Sequence, residues 1–167
     1  MYVLANIIGV LAIITWSLSI QNKDKKGILI YQVAASVLYG VQYFLLGAFS
    51  ACLMDFTSAL RCLIFYFEDK KRGKVSNISF ILFAIIILIF GIISFKGIIS
   101  ILPIITSLIG LYSIWQNNLN KTRYLFIVNA LIWLFYNFSV GAYVNIIGNF
   151  FEILSGIISI IRFRRNK

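Results

Sequence analysis

The sequence of 167 residues contains no histidine, one proline and two cysteines, and only 12% of its residues are charged. Cys52 and Cys62 lie in one apolar segment without a CxxC pairing. A metal site or a disulfide therefore has few of its usual ligands, and we expect two reduced packing thiols and no cofactor. The chain also lacks a GxSxG motif and a phosphate-binding loop, and one aspartate falls within an apolar run. We therefore expect no enzymatic activity.

Apolar residues make up 61% of the chain, whereas soluble domains keep roughly a quarter of their residues charged. This composition indicates an all-α membrane protein whose main partner is the lipid bilayer. A net charge of +10 can indicate nucleic-acid binding, but the cations form short clusters between apolar runs. We therefore expect no nucleic-acid partner. The first apolar run starts at Tyr2 without a preceding basic segment, so a cleaved signal peptide is not expected.

The apolar runs predict seven transmembrane helices, because each span needs about 20 mainly apolar residues. The spans lie at about 3 to 20, 28 to 46, 49 to 67, 78 to 95, 98 to 115, 123 to 139 and 143 to 161. Thirteen cations then share one side of the membrane, against Lys96 alone on the other. They are Lys23, Lys25, Lys26, Lys70, Lys71, Arg72, Lys74, Lys121, Arg123, Arg162, Arg164, Arg165 and Lys167. The positive-inside rule places the N-terminus outside and the C-terminus in the cytoplasm.

The sequence also contains an internal repeat. A shift of 94 residues aligns FLLGAFSACLMDFTSALRCLI, from Phe44, with FSVGAYVNIIGNFFEILSGII, from Phe138, and six of the 21 positions are identical. The fourth run, NISFILFAIIILIFGIIS, has almost no polar residues and reads as a connector that faces lipid. We predict two parallel three-helix repeats, residues 1–67 and 97–167, joined by a basic loop and linker helix, residues 68–96. SWEET proteins have this 3+1+3 architecture.

The same segment from Phe44, together with ILPIITSLIGLYSIW, WLFYNFSVGAY and SIIRFRR, resembles the YgjV-type bacterial inner membrane proteins over nearly the whole chain. That family is similar in turn to the SWEET and PQ-loop group of small transporters and receptors. The resemblance implies a multi-pass protein of the bacterial inner membrane. It also implies a solute site between Asp55 and Asn149, since paired asparagines hold the solute there in SWEET-like transporters. Prolines gate such transporters, so Pro103 is either a gating hinge or a plain kink.

Three ionisable groups lie within the predicted spans, namely Asp55, Arg61 and Glu152. A charge at the bilayer centre costs about 2.5 to 3.5 kcal/mol even on insertion scales, so such groups usually face a bundle interior. Arg61 either snorkels toward the basic loops or faces the interior. For Glu152 an interior functional role competes with an uncharged packing role. We expect Arg61 and Glu152 to reach each other across the bundle.

Polar and aromatic side chains recur at helical spacing in four of the predicted spans. Such stripes either hold helices together or line a shared central cavity, which we favour. The stripes are Gln32, Ser36, Tyr39 and Tyr43; Asp55, Ser58 and Cys62, with Arg61 close to this face; Asn129, Trp133, Tyr136 and Asn137; and Asn145, Asn149, Glu152, Ser155 or Gly156, and Ser159. The residues expected to contact the solute are Tyr39, Tyr43, Asp55, Ser58, Arg61, Asn129, Trp133, Asn137, Asn149 and Glu152.

The sequence therefore predicts a facilitator or secondary transporter that moves a small polar solute by alternating access at a midplane site. Asp55 stands where the repeat has the amide Asn149, and a carboxylate loses two donors and gains a charge. We expect a solute with a cationic or donor-rich group, with Tyr39 and Trp133 supplying ring faces. The alternative is a receptor or scaffold with the same fold that moves nothing.

Overall fold

The computed structural model describes residues 2–164, and every regular element in that range is helical. Arg165 and Lys167, predicted to lie with the cytoplasmic cations, fall outside the described residues, as does the side chain of Arg164. The prediction of an all-α fold with seven helices is confirmed. The helices are α1 (Tyr2–Ile20), α2 (Lys25–Leu45), α3 (Phe49–Arg72), α4 (Asn77–Ile93), α5 (Ile101–Trp115), α6 (Leu119–Val140) and α7 (Tyr143–Arg164), and a 3₁₀ turn (Ile98–Ser100) leads into α5.

Six of these segments are long and apolar enough to cross a membrane. The exception is α4, whose 17 residues extend about 25 Å at 1.5 Å per residue. A bilayer core is about 30 Å thick, so α4 is at the short end for a span. Its buried residues are Phe83, Ile87 and Gly91, and most of its other side chains are exposed as lipid-facing residues would be.

The predicted spans were too short where a helix continues beyond the hydrocarbon region. α3 runs past residue 67 to Arg72 and ends at Gly73, whose φ of 69° is left-handed. α6 begins at Leu119 rather than at 123, because the Oδ1 atom of Asn118 accepts hydrogen bonds from the backbone N–H groups of Asn120 and Lys121. Apolar runs mark the hydrocarbon region, whereas caps and glycines mark the helix ends.

Six helices form a closed ring. Neighbours along the chain pack together, α1 on α2, α2 on α3, α5 on α6 and α6 on α7. Contacts of α1 with α7 and of α3 with α5 close the ring. α4 packs outside the ring against α3 and α5. We call the end of the ring at residues 46–48 and 141–142 the turn side. The end at residues 21–24, 73–76 and 116–118 is the basic side.

The two turns on the turn side have the same backbone geometry. Gly47 has φ 73° and Gly141, 94 residues later, has φ 71°. In each turn the N–H of the alanine after the glycine donates to a carbonyl five residues back, at 2.9 Å. A residue with a Cβ atom would be strained there by about 1 to 2 kcal/mol. The 94-residue alignment thus describes this local geometry, and the exact division into units stays a prediction.

Candidate functional site

Two small cavities lie inside the ring. The first, which we call the turn-side cavity, has a volume of about 40 Å³, room for a few water molecules. Its polar lining includes both carboxylates predicted to lie within the spans. It is lined by Trp16, Tyr39, Tyr43, Asp55, Trp133, Asn137, Asn145, Asn149 and Glu152.

The second, basic-side cavity has a volume of about 30 Å³ and contains the third ionisable group, Arg61. Trp16, Asp55 and Trp133 line both cavities and therefore mark the level at which they meet. The remaining lining residues of the basic-side cavity are Gln32, Ser36, Ser58, Arg61, Thr106, Ser107, Gly110, Phe126 and Asn129.

Hydrogen bonds connect the polar side chains of the turn-side cavity across the ring. The hydroxyl of Tyr39 in α2 donates to Oε1 of Glu152 in α7 at 3.2 Å. The hydroxyl of Tyr43 donates to Oδ1 of Asn137 in α6, and Nδ2 of Asn137 donates to Oδ1 of Asn149 at 2.9 Å. Tyr43 and Asn137 are 94 residues apart, so a contact between them is what an axis relating the two halves would produce.

Asp55 lies between the two cavities with a buried Oδ2 atom that has no hydrogen-bond partner. Aromatic rings surround the same region. The rings of Tyr43 and Trp133 are stacked with centroids 5.7 Å apart, and Trp16 contacts Tyr39 edge-on at 6.5 Å. A carboxylate beside tryptophan and tyrosine rings is the arrangement that binds organic cations.

Arg61 does not snorkel. Its side chain is 4% exposed, and its Nη1 atom donates to the backbone carbonyl of Ser107 in α5 at 3.0 Å. The expected contact with Glu152 is wrong, because Arg61 lines the basic-side cavity whereas Glu152 lines the turn-side cavity. The error arises because the two residues were matched by approximate depth alone. Three positions along a helix, about 4.5 Å, separate their levels.

Pro103 is the third residue of α5, which directly follows the 3₁₀ turn. The first four N–H groups of a helix have no intrahelical acceptor, so a proline at this position breaks no bond within α5. The plain kink expected of Pro103 therefore has no lost hydrogen bond within α5 to cause it. Pro103 is buried, and its carbonyl accepts a hydrogen bond from Thr106 at 3.0 Å. A gating role for Pro103 stays a prediction.

Apolar side chains close the ring on both sides of the cavities. On the turn side Tyr43, Ala51, Cys52, Tyr136 and Ala142 form a buried cluster. On the basic side a larger cluster packs α1, α2, α3, α5 and α6 together with α4 around Phe65. Ligand pockets for organic molecules usually measure about 300 Å³ or more. Both cavities are therefore smaller than a typical ligand pocket.

Polar contacts reinforce the closure on the basic side. Nζ of Lys25 in α2 donates to Oδ1 of Asn117 at 2.7 Å, and thus reaches the loop before α6. Nη2 of Arg123 in α6 donates to the carbonyl of Asn22 at 3.1 Å, and thus reaches the loop before α2. These reciprocal contacts hold the two halves together at the end where the cations were predicted.

All ten residues predicted to contact the solute line the two cavities, whereas the stripe residues Cys62, Tyr136, Ser155, Gly156 and Ser159 line neither. Tyr39, Tyr43, Asn137, Asn149 and Glu152 line the turn-side cavity alone. Ser58, Arg61 and Asn129 line the basic-side cavity alone, and Asp55 and Trp133 line both.

Two central residues, Trp16 and Gln42, were missed. The repeat pairs Trp16 with Gly110, so the alignment gave no signal for it. Gln42 is fully buried, and its Nε2 atom donates to Oδ1 of Asn145 at 2.9 Å. A glutamine at membrane depth is itself a signal and could have identified this tie between α2 and α7.

Comparison with known proteins identifies a family. The model of the Imp-YgjV family, described as bacterial inner membrane protein, matches residues 3–167. The chain therefore belongs to this family and is a multi-pass inner membrane protein. Comparison with curated proteins and with solved structures gave no match.

Proposed function

We propose that this Imp-YgjV family member is a carrier rather than an enzyme, and that it moves a small polar solute with a cationic group across the inner membrane. The observation that carries the proposal is the position of Asp55. Its carboxylate lies among aromatic rings where two polar cavities meet, inside a ring that is closed on both sides.

The cost of this arrangement in a membrane supports a functional role. Unpaired buried carboxylates are expensive in hydrocarbon, and helices pack well with small or apolar residues instead. An unpaired Oδ2 atom at Asp55 therefore contributes little to packing and fits a group that waits for a cation. The carboxylate would supply charge, and Trp133 and Tyr39 would supply ring faces worth about 0.5 to 2 kcal/mol.

Different contacts close the two sides, which suits alternating access. Opening toward the turn side requires the cluster around Tyr43 and Tyr136 to separate. Opening toward the basic side requires Lys25 to leave Asn117 and Arg123 to leave Asn22. Rocking of the α1–α3 half against the α5–α7 half would break one set while keeping the other. We extend the proposal to this motion.

Uptake into proteoliposomes tests the proposal directly. The purified protein would be reconstituted and supplied with radiolabelled choline as a test cation, with protein-free liposomes as the control. The expected result is saturable uptake that requires the protein and is lost in Asp55→Asn. Choline binding without uptake would favour the receptor or scaffold alternative. A lack of both would overturn a cation site at Asp55.

A pair of cross-links tests the motion. Cysteines replacing Lys25 and Asn117 would be joined by a reducible bis-methanethiosulfonate cross-linker, which bridges the gap now spanned by the lysine side chain and locks the basic side. A Cys52→Ala and Cys62→Ala background removes the two native thiols. Cross-linking should stop uptake, and reduction should restore it. Uptake that continues in the cross-linked protein would contradict opening on the basic side.

We also propose that the basic side faces the cytoplasm, because Lys96 is the one cation predicted on the turn side. In the same cysteine-free background, Lys96→Cys and Lys74→Cys would be exposed to a membrane-impermeant maleimide in intact cells. Labelling is expected at residue 96 and not at 74. The reverse pattern would invert the orientation, and equal labelling would contradict the helix count.

A further inference from the structure

Arg61 is a buried cation whose hydrogen-bond donors are incompletely used. A guanidinium group carries five N–H donors. In this protein Nη1 donates to the carbonyl of Ser107, the side chain also hydrogen-bonds the thiol of Cys62, and Nε has no partner. The side chain is 4% exposed and lines the basic-side cavity. Burial of a charge without full pairing is strongly unfavourable, so this cavity contains a cation with donor capacity to spare.

Donors from two helices line that cavity beside Gly110 in α5. A Cβ atom at Gly110 would lie at ordinary contact distance from both groups, 3.5 Å from Nη2 of Arg61 and 3.9 Å from Nδ2 of Asn129 in α6. Gly110 itself lines the basic-side cavity, so the two groups lie close together around a position that carries no side chain. An oxygen anion in the cavity beside the Cα atom of Gly110 would be within reach of donors from Arg61 and Asn129, which we call the cradle.

The other half of the protein does not repeat this cradle. The 94-residue offset pairs Arg61 with Ser155 and Gly110 with Trp16. The equivalent position therefore carries a neutral hydroxyl and a large indole. This grouping is a property of these particular side chains and does not follow from the repeat.

Asp55 does not neutralise Arg61 by direct contact. Both residues are in α3, six positions apart, which separates them by about 9 Å along the helix axis and about 120° around it. Oδ2 of Asp55 and Nε of Arg61 both lack hydrogen-bond partners. A negative group beside Arg61 and a positive group beside Asp55 would complete both sites.

We infer that Arg61, Asn129 and the open space at Gly110 form an anion subsite, and that the solute is a small zwitterion with a carboxylate and an ammonium group. The inference rests on the proposed function. The carboxylate of the solute binds at Arg61, and its ammonium group lies at Asp55 among the rings of Trp16 and Trp133. The solute thus spans the level at which the two cavities meet.

The test compares probes that differ mainly in a carboxylate. Glycine betaine and choline share a trimethylammonium group, and γ-aminobutyrate and butylammonium share a primary one. Their dissociation constants would be measured from the thermal shift of the purified protein. We expect each zwitterion to bind about tenfold more tightly than its matched cation, as a charge-assisted hydrogen bond allows.

Two substitutions locate the effect at the cradle. Arg61→Gln removes the charge, and Gly110→Ala places a methyl group between the donors and the cavity, at ordinary contact distance from Arg61. Gly110→Ala should fold normally, because alanine favours helices, and it remains informative if Arg61→Gln is unstable. Each variant should lose the zwitterion preference, so that the affinities of each zwitterion and its matched cation differ by less than about twofold, or about 0.4 kcal/mol.

The outcomes separate this inference from the proposed function. Equal binding of zwitterions and cations by the unchanged protein would overturn the anion subsite and leave the cation site at Asp55 in place. A zwitterion preference that survives both substitutions would place the anion elsewhere and also overturn the inference. Failure of all four probes to bind would overturn the inference together with the cation site.

Discussion

The third and seventh helices have the same local structure and different chemistry. α3 and α7 begin 94 residues apart, at Phe49 and Tyr143, after glycine turns of the same geometry. Both helices face the centre of the ring. Their facing positions, in order along each helix, are Asp55, Ser58 and Arg61 in α3, and Asn149 and Glu152 in α7.

The comparison indicates that the fold tolerates changes at these positions and that the site depends on them. A helix in a bilayer satisfies its own backbone hydrogen bonds, and the turns need only glycine at one position. The facing side chains are therefore free to differ between the two halves. Each helix keeps one carboxylate, one turn apart in depth, but only α3 adds a cation. This difference gives the turn-side cavity an acidic lining and the basic-side cavity an arginine.

The largest expected effect comes from Asp55→Asn, which makes α3 match α7 at this position. Choline binding should weaken by about tenfold or more, which corresponds to about 1.4 kcal/mol, because the charge beside the rings is lost. The melting temperature should not fall, since the buried Oδ2 atom of Asp55 has no partner to lose. Binding isotherms and thermal melts of the purified protein would check both expectations.

The matched control for this change is Asn149→Asp, which keeps the acceptor used by Asn137. It adds a second carboxylate at the related position and should not weaken choline binding. A drop in stability of Asp55→Asn together with unchanged binding would make Asp55 a structural residue.

The second-largest effect on choline affinity is expected from Glu152→Gln. The carboxylate of Glu152 already accepts a hydrogen bond from Tyr39, so it is less available to a solute than Asp55. We expect choline affinity to fall about threefold, or about 0.7 kcal/mol, in the same binding assay. Ser58→Ala, at the related position of α3, is the matched comparison and should weaken choline binding less, because it removes a hydroxyl and no charge. A larger loss for Glu152→Gln than for Asp55→Asn would reverse the assignment of the main cation site.

The sequence predicted the helices well because each apolar run must be long enough to cross the bilayer. It also identified the residues of the centre, since polar groups at membrane depth are costly unless they face inward. The ends of α3 and α6 were missed because capping and glycine geometry, rather than hydropathy, decide where a helix stops.

Contacts between helices were harder to predict than the faces of single helices. Arg61 and Glu152 were paired by approximate depth, but three helical positions, about 4.5 Å, separate their levels, and they line different cavities. Trp16 was missed because the related residue is Gly110, and a repeat alignment cannot signal a position at which the two halves differ in size. Packing partners require three-dimensional information that spacing along one chain does not contain.

A smaller effect is expected from Tyr43→Phe, which removes the hydroxyl that joins residues 94 apart. Oδ1 of the buried Asn137 would lose its donor, and the free energy of unfolding should fall by about 0.5 to 1.5 kcal/mol. Unfolding in mixed micelles with increasing sodium dodecyl sulfate would measure it. Tyr39→Phe is the matched control, because it removes a tyrosine hydroxyl that donates to the carboxylate of Glu152 rather than to an amide oxygen. An unchanged unfolding curve for Tyr43→Phe would contradict the contact between the halves.

The smallest effects compare two related hydrogen bonds near the basic side. Oγ of Ser19 donates to the carbonyl of Ile28 at 2.9 Å, and 94 residues later Oγ1 of Thr122 donates to the carbonyl of Ser113 at 2.7 Å. The donor is thus on the first helix in one half and on the second helix in the other. Side-chain hydrogen bonds between membrane helices contribute about 0.6 kcal/mol on average, so Ser19→Ala should lower the free energy of unfolding by about that amount.

Thr122→Val should lower the free energy of unfolding more than Ser19→Ala, because Oγ1 of Thr122 also accepts a hydrogen bond from Nε2 of Gln116 at 2.8 Å. The valine keeps the shape of the side chain but leaves Gln116 with one acceptor fewer. Thr122→Ser retains the hydroxyl and should recover most of the loss, which separates hydrogen bonding from packing. The same micelle unfolding assay gives all three values. A greater loss for Ser19→Ala than for Thr122→Val would contradict the added contribution of the hydrogen bond from Gln116.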